Sequence, residues 1–472
     1  MVIQDEVSKY LLHEVVGTTN IDGTDLGITI NSNPISVGAA GAGGMMGPYH
    51  LDDMQNLRIS KVVALIDKGA HTYTDKEGRE HVKNIAREMA AAYGVEKAFY
   101  LEGKDAAWNA FLDTHLLTVL SGPNNVHAQQ IESIFGRADA DKRFVYSEKP
   151  LANSLEGAIS IAEVDKARPG RIGVVSQNRM WDMLLEARHM IANGVIGEIQ
   201  NFEIEYQQDW MNPGTPAVWR IEKGVGGELG PDLKGNLGKL IDIMYHAVDT
   251  LQFVTGQNIS GVHSAYIINA VNEREPAGGK TFGAAGVAKR KVPVGGDSPY
   301  HGDDVISTIM QLAGGAIGDM KISQTNAGQK NALRFRVYGS KGSLEFTTDN
   351  ANDLVHYDGF GNVKKVITRD PNALQYTSTL PDWYLEGLRM NNPPFEMHTP
   401  PKHDQGWRNV HKRQALAFAL YAQLVTNGQI GLGERSKLYV VPTVAEALNN
   451  MKVMKTAYEV AAYRCESITP VN

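Results

Sequence analysis

Cysteine is nearly missing from this chain: Cys465 is the only one in 472 residues. Neither a disulfide framework nor a cysteine-rich metal site can then form within one chain, and a reducing, cytoplasmic setting is expected. Long apolar runs are missing too. No stretch reaches the roughly 18 residues of a spanning helix. The opening MVIQDEVSKYLLHEVVGTTN has no basic segment leading into a continuous apolar one, so neither a membrane anchor nor a secretory signal is expected. Positive charge is not in excess: 46 Lys and Arg face 53 Asp and Glu, a net charge of -7. That balance offers no footprint for a phosphate backbone and excludes nucleic acid as the expected partner. The 14 histidines include no H-E-x-x-H, so no metal site is expected.

What remains has globular composition, 42% hydrophobic and 21% charged, in a chain long enough for two cores. Residues 1–33 end in the turn-rich Ile30-Asn31-Ser32-Asn33-Pro34 and read as an N-terminal arm. From Ile35 short apolar runs alternate with helical stretches, the pattern of βαβ units and a parallel sheet. The runs are Ile35 to Val37, Val62 to Ile66, Leu116 to Leu120 and Phe144 to Tyr146. Glu80 to Tyr93 reads as a helix stopped by Gly94, and Asn153 with Glu156 as the capping box of another. Residues 34–172 are therefore expected to form one α/β domain.

Beyond that point alternation takes over. Leu333, Phe335 and Val337 point one way and Arg334 and Arg336 the other; after the turn at Gly339-Ser340-Lys341-Gly342, Leu344 and Phe346 resume the pattern. Residues 173–472 are expected to form an α+β domain on a large, mainly antiparallel open sheet. Its late helices are Trp407 to Val425 and one opened by Thr443 and Glu446. Residues 367–405 carry Pro393, Pro394, Pro400 and Pro401 and read as a long loop over the active face.

Four features carry chemistry. The first run leads into Gly38-Ala39-Ala40-Gly41-Ala42-Gly43-Gly44-Met45-Met46-Gly47. Such a turn between a strand and a helix lets backbone N–H groups approach a pyrophosphate. A strict G-x-G-x-x-G would need glycine at position 42 or 46, which hold Ala42 and Met46; a plain small-residue turn is the competing reading. Asp67 ends the second strand twenty residues past Gly47, where a carboxylate accepts from ribose hydroxyls and repels a 2′-phosphate. NAD is thus expected over NADP, with Lys68 pulling the other way. Glu148-Lys149-Pro150 can aim one ammonium into a cleft. Asp242 and His246 lie one turn apart on a helix, a pair suited to deprotonating an alcohol.

In order along the chain, the glycine loop, Asp67, Ser121-Gly122-Pro123-Asn124-Asn125-Val126-His127, Glu148-Lys149-Pro150 and D-x-x-x-H resemble the family of glucose-fructose oxidoreductase, inositol dehydrogenase and MocA. His50, Asn178-Arg179, Trp219-Arg220, Gly226-Gly227 and the Tyr-Gly-Ser-Lys-Gly-Ser turn fit the same pattern. The resemblance implies a Rossmann dinucleotide-binding domain and an oxidoreductase acting on a secondary hydroxyl of a sugar, glycoside or cyclic polyol. It implies Lys149, Asp242 and His246 as the catalytic set: Lys149 on the reacting hydroxyl, His246 as general acid/base, Asp242 orienting the sugar. It places Gly41, Gly43, Gly44, Met45, Met46, Gly47, Asp67, Lys68, Ser121, Pro123, Asn124, His127, Glu148 and Lys149 along the dinucleotide, Glu148 holding the cofactor side of Lys149. Arg179, Trp219 and His403 join the catalytic set as substrate contacts. A homodimer or homotetramer is implied as well. The insertion from Glu228 to Gly238 next to the proposed base keeps substrate choice open. Two other activities fit the pattern: an NAD-dependent glycosidase working by transient oxidation and elimination, and a regulator that senses the dinucleotide without catalysis.

Overall fold

The computed structural model describes residues 34–44, 46–68, 71–74, 80–83, 85–101, 105–226, 240–275, 292–293, 298, 302–370, 374–390 and 405–464. The arm of residues 1–33, the insertion of 228–238, Met45, His403 and Cys465 lie outside the described residues.

Six strands, β1 (Ile35–Ala40), β2 (Ser60–Lys68), β5 (Lys97–Leu101), β6 (Leu117–Leu120), β7 (Phe144–Ser147) and β8 (Ile172–Val174), pair in parallel in the order β5-β2-β1-β6-β7-β8. Their runs are apolar on both faces because helices cover both sides: Val37, Ala64, Leu65, Leu117, Val119 and Val145 are fully buried. The covering helices are α1 (Gly47–Gln55), α2 (Ile85–Tyr93), α3 (Asp105–Leu112), α4 (His127–Phe135) and α5 (Leu155–Ala167). The strand order reverses between β1 and β6, which opens a crevice at the carboxyl ends of those two strands.

Two local expectations are corrected here. Glu80 to Tyr93 is not one helix: β4 (Glu80–Lys83) pairs antiparallel with β3 (His71–Thr74), and only α2 is helical, closed by Gly94 at φ +65°. β4 owes its strand to hairpin pairing with the neighbouring β3, a competitor that the helical pattern of Glu80 to Tyr93 does not register. The cap of α5 is Ser154, whose hydroxyl accepts from Gly157 N at 3.0 Å, not the Asn153/Glu156 box.

The second sheet has eight strands: β9 (Ile199–Gln207), β10 (Ile259–Ile268), β13 (Val305–Leu312), β14 (Ile317–Ser323), β15 (Ala332–Gly339), β16 (Gly342–Thr347), β17 (Asp353–Asp358) and β18 (Val363–Thr368), in the order β10-β13-β14-β9-β15-β16-β17-β18. All neighbours are antiparallel except β14 with β9. The short pair β11 (Glu273–Arg274) and β12 (Val292–Pro293) stands apart. Phe202, Ile204, Leu333, Phe335 and Val337 line the inner face, fully or almost fully buried, against α6 (Asp182–Ala192) and α7 (Leu240–Thr255). The 367–405 stretch is less loop-like than expected, since β18 runs to Thr368 and α8 spans Asp382–Met390; residues 391–404 lie outside the described residues. Two long helices close the chain: α9 (Trp407–Thr426) and α10 (Val444–Arg464), the latter opened by the reciprocal Thr443/Glu446 bonds. α9 packs on α1 and β1, so this late element braces the first sheet.

Candidate active site

The glycine turn settles its own register. β1 ends at Ala40 and Gly41 turns with φ +78°, where a Cβ would lie 2.5 Å from the Gly122 nitrogen. The tight-turn role therefore falls on Gly41, and Ala42, fully buried, replaces no turn glycine. At the start of α1 a Cβ on Gly47 would come within 2.2 Å of the Ala42 carbonyl oxygen, so only glycine lets helix and turn meet this closely. Among the described residues no side chain caps the first turn of α1, and Pro48 presets its backbone. Across the crevice mouth, Asp67 Oδ2 accepts from Gly43 N at 2.6 Å, which brings the strand-end carboxylate onto the glycine turn. The side chain of Lys68 lies outside the described atoms.

The opposite wall is the turn after β6. Ser121 spends its hydroxyl on the Ala40 and Gly41 carbonyls at 3.0 and 3.2 Å, tying the two strand ends together. Asn124 donates to Gly226 O at 2.7 Å and Asn153 to Gly224 O at 3.1 Å, fastening the segment that follows Trp219 to this wall. His127 is wholly buried, its ring nitrogens 3.2 Å from the Pro150 and Gly122 carbonyls, and burial lowers its pKa. It braces the turn from behind, which corrects its expected place along the dinucleotide.

Beyond the turn, Lys149 reaches from the end of β7 to the first turn of α7. Its ammonium donates to Asp242 Oδ1 at 2.6 Å and to the Asp242 carbonyl at 2.9 Å. Arg220 approaches the other carboxylate oxygen at 3.2 Å, its guanidinium over the Trp210 ring. Burial alone would raise the Asp242 pKa; the Lys149 ammonium and then Arg220 outweigh it and hold the carboxyl at about 2. One turn on, His246 is 4% exposed with the Tyr206 ring edge-on at 5.8 Å. Burial, and after it the Lys149 ammonium, depresses the imidazole to about 3, so it is neutral at ordinary pH. The ammonium, the carboxylate and the imidazole thus occupy one place.

Two further expectations change. Glu148 does not hold the Lys149 ammonium: its Oε1 lies 2.8 Å from His50 Nε2, and its Oε2 accepts from the Lys149 backbone N–H at 3.2 Å. Arg179 is no substrate contact. It is buried in a bidentate pair with Asp249 at 2.7 and 2.8 Å, and it also donates to Glu446 and the Tyr439 carbonyl. The Trp219 side chain and His403 lie outside what is described. Arg220 is the residue that reasoning from the sequence left without a role; its Trp-Arg neighbourhood was visible, but its carboxylate lies 22 positions on, past the insertion.

Comparison with known proteins identifies the fold. Residues 184–345 match the family model described as the GFO/IDH/MocA C-terminal domain. That stretch runs from α6 to β16 and takes in the Lys149-bonded Asp242 and His246. A levoglucosan dehydrogenase of Pseudarthrobacter phenanthrenivorans is 27% identical over 279 residues, 58% of this chain and 67% of that protein. The galactose/lactose metabolism regulatory protein GAL80 of Saccharomyces cerevisiae is 25% identical over 145 residues, 30% of this chain and 31% of that one. A structure of levoglucosan dehydrogenase in complex with NADH and L-sorbose superposes with a TM-score of 0.66 at 22% identity, covering 91% of this chain and 97% of the other. The fold of that structure, a parallel sheet followed by a mixed, mostly antiparallel one, accordingly spans nearly the whole chain. Among the described residues no helix is long and apolar enough to cross a membrane.

Proposed function

We propose that the chain is an NAD-dependent dehydrogenase that moves a hydride between nicotinamide and a secondary hydroxyl of a sugar, glycoside or cyclic polyol. The observation that carries this reading is the meeting of Lys149, Asp242 and His246 beside the turn of Gly41, Gly43 and Gly47. The crevice fits a dinucleotide on its own terms. Glycines at 41, 43 and 47 let the turn close tightly on Gly122, Ile85 and Ala42, the first turn of α1 has no side-chain cap among the described residues, and Asp67 stands at the strand end where a ribose would lie. The Asp67 carboxylate would repel a 2′-phosphate, which supports NAD over NADP. Ser121, Pro123 and Asn124 would flank the nicotinamide half. The relatives fit: one is named a levoglucosan dehydrogenase, and a solved levoglucosan dehydrogenase structure is a complex with NADH and L-sorbose.

Bound there, the nicotinamide would supply the hydride acceptor or donor. The rest falls to the chain. Lys149 would share its ammonium protons between Asp242 and the reacting hydroxyl, lowering the cost of charge on that oxygen. His246, kept neutral by burial and by Lys149, would take the hydroxyl proton. Asp242, ionised well below neutral pH, would accept from a neighbouring hydroxyl, and Arg220 would fix its second oxygen or donate to the substrate. Tyr266, Ile268, Ile309 and Ile317 stand exposed on the outer face of β10, β13 and β14, a patch that supports a homodimer or homotetramer.

The test is a screen of monosaccharides, glycosides and inositols with NAD and NADP, read at the NADH absorbance band. Net NADH with a free sugar or polyol is expected. Aglycone release without net NADH would point to the redox-assisted glycosidase. Tight NAD binding with no turnover on any substrate would favour a non-catalytic, dinucleotide-sensing regulator instead.

A further inference from the structure

A second buried cluster of titratable side chains lies behind the site. His50 and Asp53 come from α1, Glu148 from the end of β7 and His411 from α9, and none is more than 5% exposed. Asp53 Oδ2 lies 2.5 Å from His411 Nδ1, and Asp53 Oδ1 accepts from Arg408 at 2.8 Å. His411 Nε2 faces Glu148 Oε1 at 4.0 Å, the oxygen that His50 Nε2 also approaches at 2.8 Å. The remaining groups around the His411 ring are His50 at 4.7 Å and Trp407 at 5.2 Å between ring centroids; Tyr146 stands edge-on behind His50, Asp52 shares Arg408, and Lys149 follows Glu148 in the chain.

We propose that His411 is a positioning residue: as an imidazolium held between Asp53 and Glu148, it fastens α9 to the helix after the glycine turn and fixes the turn that presents Lys149. A neutral His411 has one ring N–H, which Asp53 takes. Its Nε2 would then turn a lone pair toward the Glu148 carboxylate, in a buried place where that nitrogen has no hydrogen-bond partner among the described residues. A proton on Nε2 turns this repulsion into attraction. Charge balance agrees, because Asp53 and Glu148 are two buried negatives, Arg408 is shared with Asp52, and the Lys149 ammonium near Glu148 is bonded to Asp242. Burial opposes the charged ring, yet Asp53 and then Glu148 outweigh it and raise the His411 pKa to about 9. The link to chemistry is short. Glu148 is pinned by its backbone N–H on Leu120 O at 2.8 Å, and its carboxylate accepts from the amide of Lys149, the residue whose ammonium meets Asp242. The functional half of the inference rests on the proposed dehydrogenase reading; the protonation half does not.

The full chain is compared with His411→Gln and with His411→Lys, which restores the charge. Imidazole 15N NMR needs no substrate and should show one ring, lost in His411→Gln, that keeps both protons up to about pH 9. In turnover, His411→Gln should lower kcat about tenfold or more while the KM for NAD changes little, and His411→Lys should recover much of the loss. The wild-type kcat should fall above pH 9 and that limb should vanish in His411→Gln. If His411→Gln does not fold, Asp53→Asn keeps the ring and should move its titration toward neutral pH. A ring that loses its proton near neutrality would overturn the inference, as would an unchanged kcat and pH profile in His411→Gln. A stoichiometric divalent metal would overturn it too, since His50, Glu148 and His411 each offer a ligand atom and a metal would take the proton's place. An imidazolium signal without any dehydrogenase turnover would count against the proposed activity and leave the clamp standing.

Discussion

Replacing Arg179 by methionine separates a structural role from a substrate-binding one. The guanidinium makes two bonds to Asp249, one to the Tyr439 carbonyl and one to Glu446, with Arg179 and Asp249 at 2% and 1% side-chain exposure. Methionine fills most of the volume but leaves Asp249 buried without its cation. Removing one partner of such a pair costs about 3–5 kcal/mol, because the survivor's charge is uncompensated. Ser176 Oγ at 2.6 Å and Asn450 Nδ2 at 2.9 Å still donate to Asp249, so the lower end of that range is expected. The half-exposed Glu446 side chain can turn to water and adds little. Urea unfolding followed by tryptophan fluorescence measures the loss. Adding Asp249→Asn in the same chain should recover a large part of it, because no buried charge is then left alone. Below the transition, KM for NAD and for substrate should stay within about twofold of the parent. A loss under about 1 kcal/mol together with a tenfold rise in substrate KM would refute the reasoning and return Arg179 to the substrate pocket.

Lys149→Ala and His246→Ala should each lower turnover by about 100-fold or more while NADH binding, followed by its fluorescence, persists; near-normal turnover in both would remove the assignment. Gly47→Ala places a methyl 2.2 Å from a backbone oxygen that has nowhere to go. It should destabilise by about 1–3 kcal/mol and weaken NADH binding measurably, whereas Gly94→Ala, with open space but φ +65°, should cost stability alone. Stability should fall on both sides of neutral pH for opposite reasons. His115 and His246 are depressed to about 3, by burial first and then by Arg143 and Lys149 respectively, and burial also lowers His127. The unfolded chain takes up those protons near pH 6.5 and the folded chain does not, so their contribution is complete above that and is lost as pH drops toward 3. His411 behaves in reverse: its contribution is complete below its unfolded value and is lost as pH rises through about 9. Urea midpoints across pH in the parent and in His411→Gln should show the alkaline loss only in the parent.

Local patterns carried a large part of this reading. The alternation of Leu333, Phe335 and Val337 against Arg334 and Arg336 emerged as a strand with one buried face, because a strand's side chains alternate wherever it pairs. The Thr443/Glu446 box opened α10 as expected, since its bonds span three residues and need nothing distant. Where a neighbouring segment or residue offered a competing partner, the pattern misled. The β3–β4 pairing drew Glu80–Lys83 out of a helical pattern, and Ser154 took the cap that Asn153 could have held.

The chain by itself determined which groups exist and how they are spaced over a turn or two: the glycines after β1, the ammonium after β7, the carboxylate and imidazole four residues apart on α7. Only the tertiary structure decided who faces whom. It set Gly41 rather than Ala42 at the tight turn, gave Lys149 and Arg220 to Asp242, sent Arg179 into the core, and brought His411 across 358 positions to Asp53. Periodicity is a property of the backbone and is written locally. A buried charge takes its partner from whichever surfaces close over it, and desolvation makes that choice expensive to leave unmade.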